Sequence, residues 1–216
     1  MQFFKFASIS KYLIYYVYGL RYTLKLAVCV IILGILSGII FGLMRVSRNK
    51  ILSMFSAAYV NFIRGTPMLV QVYIVYYGLN LNISSFMAGV IALTVHSSAY
   101  IAEIVRSGIQ AVDKGQMEAA RSLGQSHSQG MLLVVIPQAI KNILPALCNE
   151  FIVVIKNTSI VSVIGIQELM YNTDTIRSLT YLSFEPLIIV AVIYFILTYI
   201  IKQLVAIFER RLKASD

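Results

Sequence analysis

Three ionisable residues, Arg64, Glu150 and Lys156, fall within long apolar runs, where a charge is costly and marks a functional candidate. Arg64 opens the stretch Arg-Gly-Thr-Pro. Pro67 removes a backbone donor and disfavours helix at Thr66, so a helix should break there and offer backbone groups to a solute. Arg64 with the backbone of Gly65 and Thr66 can cradle a carboxylate; Glu150 with Asn149 can accept from an ammonium. The competing reading of Arg64 and Glu150 is an internal ion pair. Asn157, Thr158 and Ser159 form a polar island between FIVVI and IVSVIGI, and His96, Ser97, Ser98 and Tyr100 form another. Both islands are candidate cavity linings. His96 reads more simply as a satisfied packing residue, and Glu103 as the partner of Arg106 one turn later.

Other chemistries lack their residues. No G-x-x-x-x-G-K-[ST] loop is present to hold nucleotide phosphates. Cys29, Cys148, His96 and His127 have neither metal-ligand nor redox spacing, and no Ser/His/Asp set is apparent. The cysteines read as buried small hydrophobes and the chain as a non-enzyme with no catalytic or metal residues.

The elements that must position these groups are membrane helices. Of 216 residues 59% are hydrophobic and only 12% charged, against about 25% charged in a soluble domain. Leu26 to Met44 is free of charge for 19 residues, and about 20 apolar residues span a bilayer core. The pattern predicts an all-α polytopic membrane protein of about five transmembrane helices: Leu24 to Met44, Ile51 to Leu79 with a break near Pro67, Ser85 to Val105, Ile143 to Gly165, and Pro186 to Phe208. Connections other than the one after the third span should be short. The net charge of +9 would raise nucleic acid in a soluble chain, but here the basic residues sit between apolar runs as topology signals, so no nucleic-acid partner is expected. Arg45, Arg48 and Lys50, then Arg106, Lys114 and Arg121, then Lys202, Arg210, Arg211 and Lys213 mark the cytoplasmic side. The N-terminus is then outside and the C-terminus inside. Lys5, Lys11, Arg21 and Lys25 are discordant, and are expected in an aromatic-rich amphipathic segment on the outer interface. Lys11, Arg21 and Lys25 also interrupt any signal-peptide pattern, so the N-terminus should stay attached. Gly34, Gly38 and Gly42 share one helix face and should let another helix approach. No repeat or linker divides the chain, which reads as one domain, 1–216.

The connection after the third span, Asp113 to Gln138, contains a built helix. Asp113 and Gln116 have capping-box spacing, Gly124 suits a left-handed C-terminal cap, and Ser126 with Gln129 starts the next helix. Glu118, Ala119 and Ala120, then Gly124, then Ile136 and Pro137 resemble the E-A-A-x3-G-x9-I-x-L-P pattern of ABC importer permeases, with Val134 and Ile136 replacing its Ile and Leu. YVNFIRGTPMLVQ (59–71), SAYIAEIVRSGIQAVDKGQMEAARSLG (98–124) and LPALCNEFIVVIKNTSIVSVI (144–164) resemble the polar amino-acid branch, of the type I importer fold. Asn61 replaces a frequent acidic residue of that branch and Met117 an aromatic one.

The resemblance implies that 113–138 carries a cytoplasmic coupling helix docking in a groove of an ATPase. Ala119 and Ala120 would allow close approach; Glu118 and Arg121 would supply polar contacts. It further implies a permease subunit moving a small polar amino acid across a prokaryotic cell membrane by alternating access. ATP and Mg would belong to separate ATP-binding subunits, with no cofactor on this chain. A second permease chain (identical or a paralogue), an extracellular or periplasmic solute-binding protein and membrane lipid complete the expected partners. The rival readings are an ion-gradient-coupled secondary carrier, which Glu150 and Lys156 would suit, and a membrane scaffold.

Overall fold

The apolar runs fold as helices, and no strand occurs among the described residues. The computed structural model describes residues 6–78 and 83–213, and the side chains of these except Ala7 and 208–213. A 3-10 segment, Phe6–Tyr12, leads into α1, Leu13–Val46. Then come α2, Lys50–Arg64, and α3, Met68–Tyr73, which continues as a π turn, Ile74–Gly78. The central helix α4 covers Ser85–Gln110, and α5 covers Lys114–Ser122. The short α6, His127–Gly130, passes through a π turn, Met131–Val135, into α7, Ile136–Asn157. A 3-10 segment, Thr158–Ile164, precedes α8, Leu169–Thr180, and α9, Glu185–Lys213.

Four stretches are long and apolar enough to cross a bilayer unaided: Ser8–Val46, Ser85–Gln110, His127–Ile164 and Glu185–Ile207. The remaining expected span is the broken pair α2 and α3. Its helix stops at Arg64 and restarts after Pro67, where the sequence places the break. Asn49 and Ser84 cap α2 and α4 by accepting backbone N–H bonds, as N-cap residues do.

The core has four patches rather than one. Leu26, Val30, Val72, Leu93, Val154 and Val161 join α1, α3, α4, α7 and the following 3-10 segment. Ile101, Val105, Val135, Ala139 and Ile143 join α4 to α7, and Ile9, Tyr16, Leu169, Ile176 and Val190 gather α1, α8 and α9. Val60, Ile63, Ala99 and Ala102 pack α2 on α4. Large apolar residues also cover the outside, Ile32, Leu36 and Ile40 on α1 and Phe195 and Tyr199 on α9 among them. That inverted surface suits hydrocarbon, since a water-soluble monomer rarely exposes apolar patches of this extent.

Three expectations need correction. The span expected from Ile143 starts earlier: α7 begins at Ile136, with Pro137 in its first turn, where a missing N–H is tolerated, and the helical stretch reaches back to His127. Of the discordant N-terminal charges, Lys11, Arg21 and Lys25 do not form a separate segment. They extend the first span, whose α-helical part alone is about 51 Å long at 1.5 Å per residue. Lys11, Arg21 and Lys25 lie over Tyr12, Tyr18 and Phe86. The last connection is not short, because Glu168 accepts from the backbone of Met170 and Tyr171 and starts α8. Lys5, the expected span end at Leu79 and the chain termini lie outside the described residues, as do the side chains of Arg210, Arg211 and Lys213.

The glycine face of α1 meets α4 as expected. A Cβ on Gly38 would stand 2.5 Å from Ile101 Cγ2 and 3.1 Å from the Ser98 carbonyl, whereas one on Gly34 would be 3.4 Å from its nearest neighbour. Gly38→Ala should therefore destabilise the protein by about 1–3 kcal/mol through overpacking, and Gly34→Ala much less. Denaturation in mixed micelles with increasing dodecyl sulfate checks this ordering.

Candidate solute pathway and docking helix

The break between α2 and α3 is the most organised polar feature of the bundle. Pro67 cannot donate to the carbonyl of Ile63, which would be left unsatisfied in an apolar setting. Gln71 fills that place: its Nε2 donates to the Ile63 carbonyl at 2.7 Å, to the Thr66 carbonyl at 3.1 Å and to Thr66 Oγ1 at 2.9 Å. Its Oε1 lies 3.0 Å from His96 Nδ1 on α4. Neutral His96 as the Nδ1–H tautomer would donate this bond. His96 is thus satisfied and also stacks near Tyr100, with ring centroids 4.9 Å apart. The guanidinium of Arg64 lies over the same Tyr100 ring, 5.3 Å from its centroid, within cation–π range. Arg64, Gly65 and Asn61 are exposed here and Thr66 is half-buried. The group therefore offers a cation, an aromatic face and loosened backbone on one open surface.

Among the other candidates the structure is selective. Glu150 is buried on α7 and makes no ion pair or hydrogen bond among the described residues, so the internal Arg64–Glu150 pair is absent. Asn149 does not share its surroundings. It lies in a groove with Pro145, Ile152 and Lys202, because neighbouring residues on a helix point about 100° apart. Ser97 faces Gly34 of α1, and Ser98 Oγ is 2.6 Å from the Tyr59 hydroxyl and 2.8 Å from the Val95 carbonyl. Both serines pack helices together. Lys156 is exposed and Asn157 half-buried at the end of α7. The Thr158 and Ser159 hydroxyls donate to the carbonyls of Ile155 and Lys156, closing the first turn of the 3-10 segment. Cys29 is half-buried and Cys148 buried, and neither is in a disulfide among the described residues.

At one end of the bundle, Glu103 joins Arg106 on its own helix to Arg45 of α1, the latter at 3.4 Å. The Arg106 pairing is the expected one; Arg45 was not foreseen. Beyond this clasp lies α5. Asp113 Oδ1 accepts from Gly115 N at 2.7 Å, but Gln116 does not close a capping box. Its side chain instead accepts from Gln138 Nε2 of α7 at 3.0 Å. Gly124 has φ +81, and the bonds from Gly124 N to the Arg121 carbonyl and from Gln125 N to the Ala120 carbonyl make a Schellman cap. Ser126 and Gln129 form a complete capping box. Glu118, Ala119, Arg121 and Pro137 are exposed. Ala120 is not: it is buried against Gly130, so it fixes α5 to α6 rather than forming part of an outer docking face.

Residues 31–214 match the family described as binding-protein-dependent transport system inner membrane component. This chain belongs to that family. The transport component is 41% identical over 203 residues to the probable glutamine ABC transporter permease protein GlnM of Bacillus subtilis strain 168, covering 93% of this chain and 94% of the relative. It is also 41% identical over 202 residues to the arginine transport system permease protein ArtQ of the same organism, covering 92% of each. Among solved structures, an amino acid ABC transporter crystallised with histidines superposes with a TM-score of 0.91 at 51% identity, over 96% of this chain and 99% of that one. The MetNI methionine ABC transporter in an inward-facing form, 22% identical, shares the fold with a TM-score of 0.80, over 94% of this chain and 97% of that one. Membership in this family of transport components favours the importer-type permease over the ion-gradient carrier.

Sequence reasoning missed Gln71 and Gln138, although a polar side chain within two turns of Pro67, and another beside Pro137, is a readable signal. The Gly124→Val variant must hold a branched side chain at positive φ, costing about 1–2 kcal/mol. Amides of residues 114–123 should then exchange hydrogen several-fold faster than in the parent, while Ser122→Ala leaves them unchanged.

Proposed function

We propose that this chain is the membrane-spanning permease subunit of an ATP-driven importer of a polar amino acid, and that α5 receives the stroke of a separate ATPase. The observation that carries this reading is the corner between α5 and α6. It presents Glu118, Ala119 and Arg121 outward, holds Gly124 in a left-handed cap and ties Gln116 to α7. A push on such a helix reaches the membrane helices through Gln138 and Gly130 without an intervening flexible loop. The names of the relatives at 41% identity, a glutamine and an arginine transport permease, support the substrate class.

In the mechanism, two ATP-binding subunits carry the ATP and Mg on their own chains. Their closure draws in the coupling helices of two permeases, this chain with an identical or paralogous partner. A solute-binding protein delivers the amino acid from outside, the N-terminus being external and the α5 loop and C-terminus cytoplasmic in a prokaryotic cell membrane. Residues 1–216 act as one transmembrane domain, with 113–138 as its coupling loop. Arg64, Gly65 and Thr66 form the carboxylate cradle beside Tyr100, with Gln71 and His96 holding its shape. Asn157, Ser159 and Lys156 line a further stretch of the pathway, and buried Glu150 serves the ammonium when α7 moves. Ser97, Ser98 and Asn149 support the surrounding walls.

Affinity purification from native membranes should recover an ATPase subunit with the parent chain and not with Gly124→Asp. Transport that survives ATP depletion in an intact ion gradient, with no ATPase recovered, transfers the protein to the secondary carriers. In reconstituted transport, Arg64→Ala should raise KM about tenfold or more, the loss of a charge-assisted bond. Unchanged transport and affinity in both Glu150→Ala and Asn157→Ala would eliminate the pathway as drawn.

A further inference from the structure

A cavity of about 630 Å³ opens between the ends of α1 and α4 and the docking loop. Nothing in the solute pathway or the outer face of α5 uses it. One side is apolar, built by Val46, Ile109 and Met131; the other carries Arg45, Lys114 and His127. Among the described residues the one acid in its lining is Asp113, and one of its carboxylate oxygens already accepts the Gly115 N–H.

Arg45 is the telling group. Its Nε faces Glu103 at 3.4 Å, yet its Nη1 is buried and has no hydrogen-bond partner among the described residues. A buried cationic N–H without an acceptor carries a desolvation cost, and such a group calls for an explanation such as an ion or ligand. Glu103 is shared with Arg106, which bonds both of its oxygens, and none of the hydrogen bonds among the described residues joins it to Arg45 Nη1. Lys114 and His127 add donors with no side-chain partner of their own among the described residues. The volume lies within the roughly 300–1,000 Å³ of small-molecule sites, and basic pockets between membrane helices on the cytoplasmic side accept anionic headgroups.

We propose that this cavity binds a phosphate group, supplied in the membrane by the headgroup of an anionic phospholipid. Arg45, Lys114 and His127 face the phosphate, while Val46, Ile109 and Met131 cover the glycerol and first methylenes. The inference rests on the reading of α5 as the cytoplasmic coupling helix, since only then does the cavity meet the inner leaflet. Its occupant braces the docking loop against α1 and α4, which makes the lipid a structural partner of the coupling corner.

The test uses the permease purified with its ATPase, stripped of lipid in detergent, and read by native mass spectrometry after adding phosphatidylglycerol or phosphatidylcholine of matched chains. The parent should retain a single phosphatidylglycerol per permease chain, and about fivefold less phosphatidylcholine. The Lys114→Gln/His127→Gln double variant should lose this preference while still recovering the ATPase. A second variant, Met131→Phe, fills the cavity without altering charge and should lower retention too. Displacement of the lipid by millimolar inorganic phosphate supports the same site with a soluble source as a competitor. Equal retention of both lipids by the parent and both variants, with no phosphate effect, overturns the proposal. Recovery of the ATPase from the same samples is scored separately: lipid retained without an ATPase defeats the importer reading, and an ATPase recovered without selective retention defeats only the cavity.

Discussion

The hydrogen bond from Gln71 to the carbonyl of Ile63 allows a broken helix to exist inside this bundle. In hydrocarbon no water replaces a missing backbone partner, and each unsatisfied group costs several kcal/mol. Pro67 creates that vacancy, and a side chain two turns of sequence away fills it at 2.7 Å. The same amide then reaches His96, so the repair also fixes the break against α4. Arg64 falls over Tyr100 because both ends of this link are set. The open polar surface is therefore a by-product of satisfying the backbone, not a loop inserted for binding.

A comparable economy governs the other end of the bundle. Asp113, Gly124 and Ser126 each satisfy exposed helix ends within a short stretch of chain, and their bonds turn the backbone sharply enough to make a corner. Gln116 and Gln138 fasten that corner to α7, while Ala120 meets Gly130 with almost no side chain between them. A rigid corner of this kind transmits displacement; a flexible loop would absorb it.

Local signals were legible in the sequence where local physics decides the outcome. Pro67 broke its helix, Gly124 took positive φ, and Ser126 with Gln129 closed a capping box, because each depends on residues within a turn. The glycine face of α1 was legible for the same reason, since residues 34, 38 and 42 must share a side. Pairings across the chain were not. Gln116 has the spacing to cap Asp113, yet Gln138 competes for it from 22 residues away. Asn149 and Glu150 are adjacent in sequence but face different surroundings, and Ala120 turns inward because Gly130 leaves it room. The fourth span was expected from Ile143, yet α7 starts at Ile136, because Pro137 falls in its first turn, where a helix accommodates it.

The contact between α1 and α4 constrains what can move. Where Gly38 and Gly42 lie against α4, atoms of Ile101 and Val105 and the carbonyls of Ser98 and Ala102 stand within 2.5–3.1 Å of where a Cβ would be. At these positions α1 contributes no side chain, and those of α4 lie directly on its backbone. The Arg45, Glu103 and Arg106 clasp pins the same two helices at their ends. Such contacts restrict sliding of α1 against α4, and the breaks in helix that follow the two are residues 47–49 and 111–113. A force arriving at α5 enters the chain beside the second of these breaks, where a small rotation has the whole length of the paired helices as its lever arm.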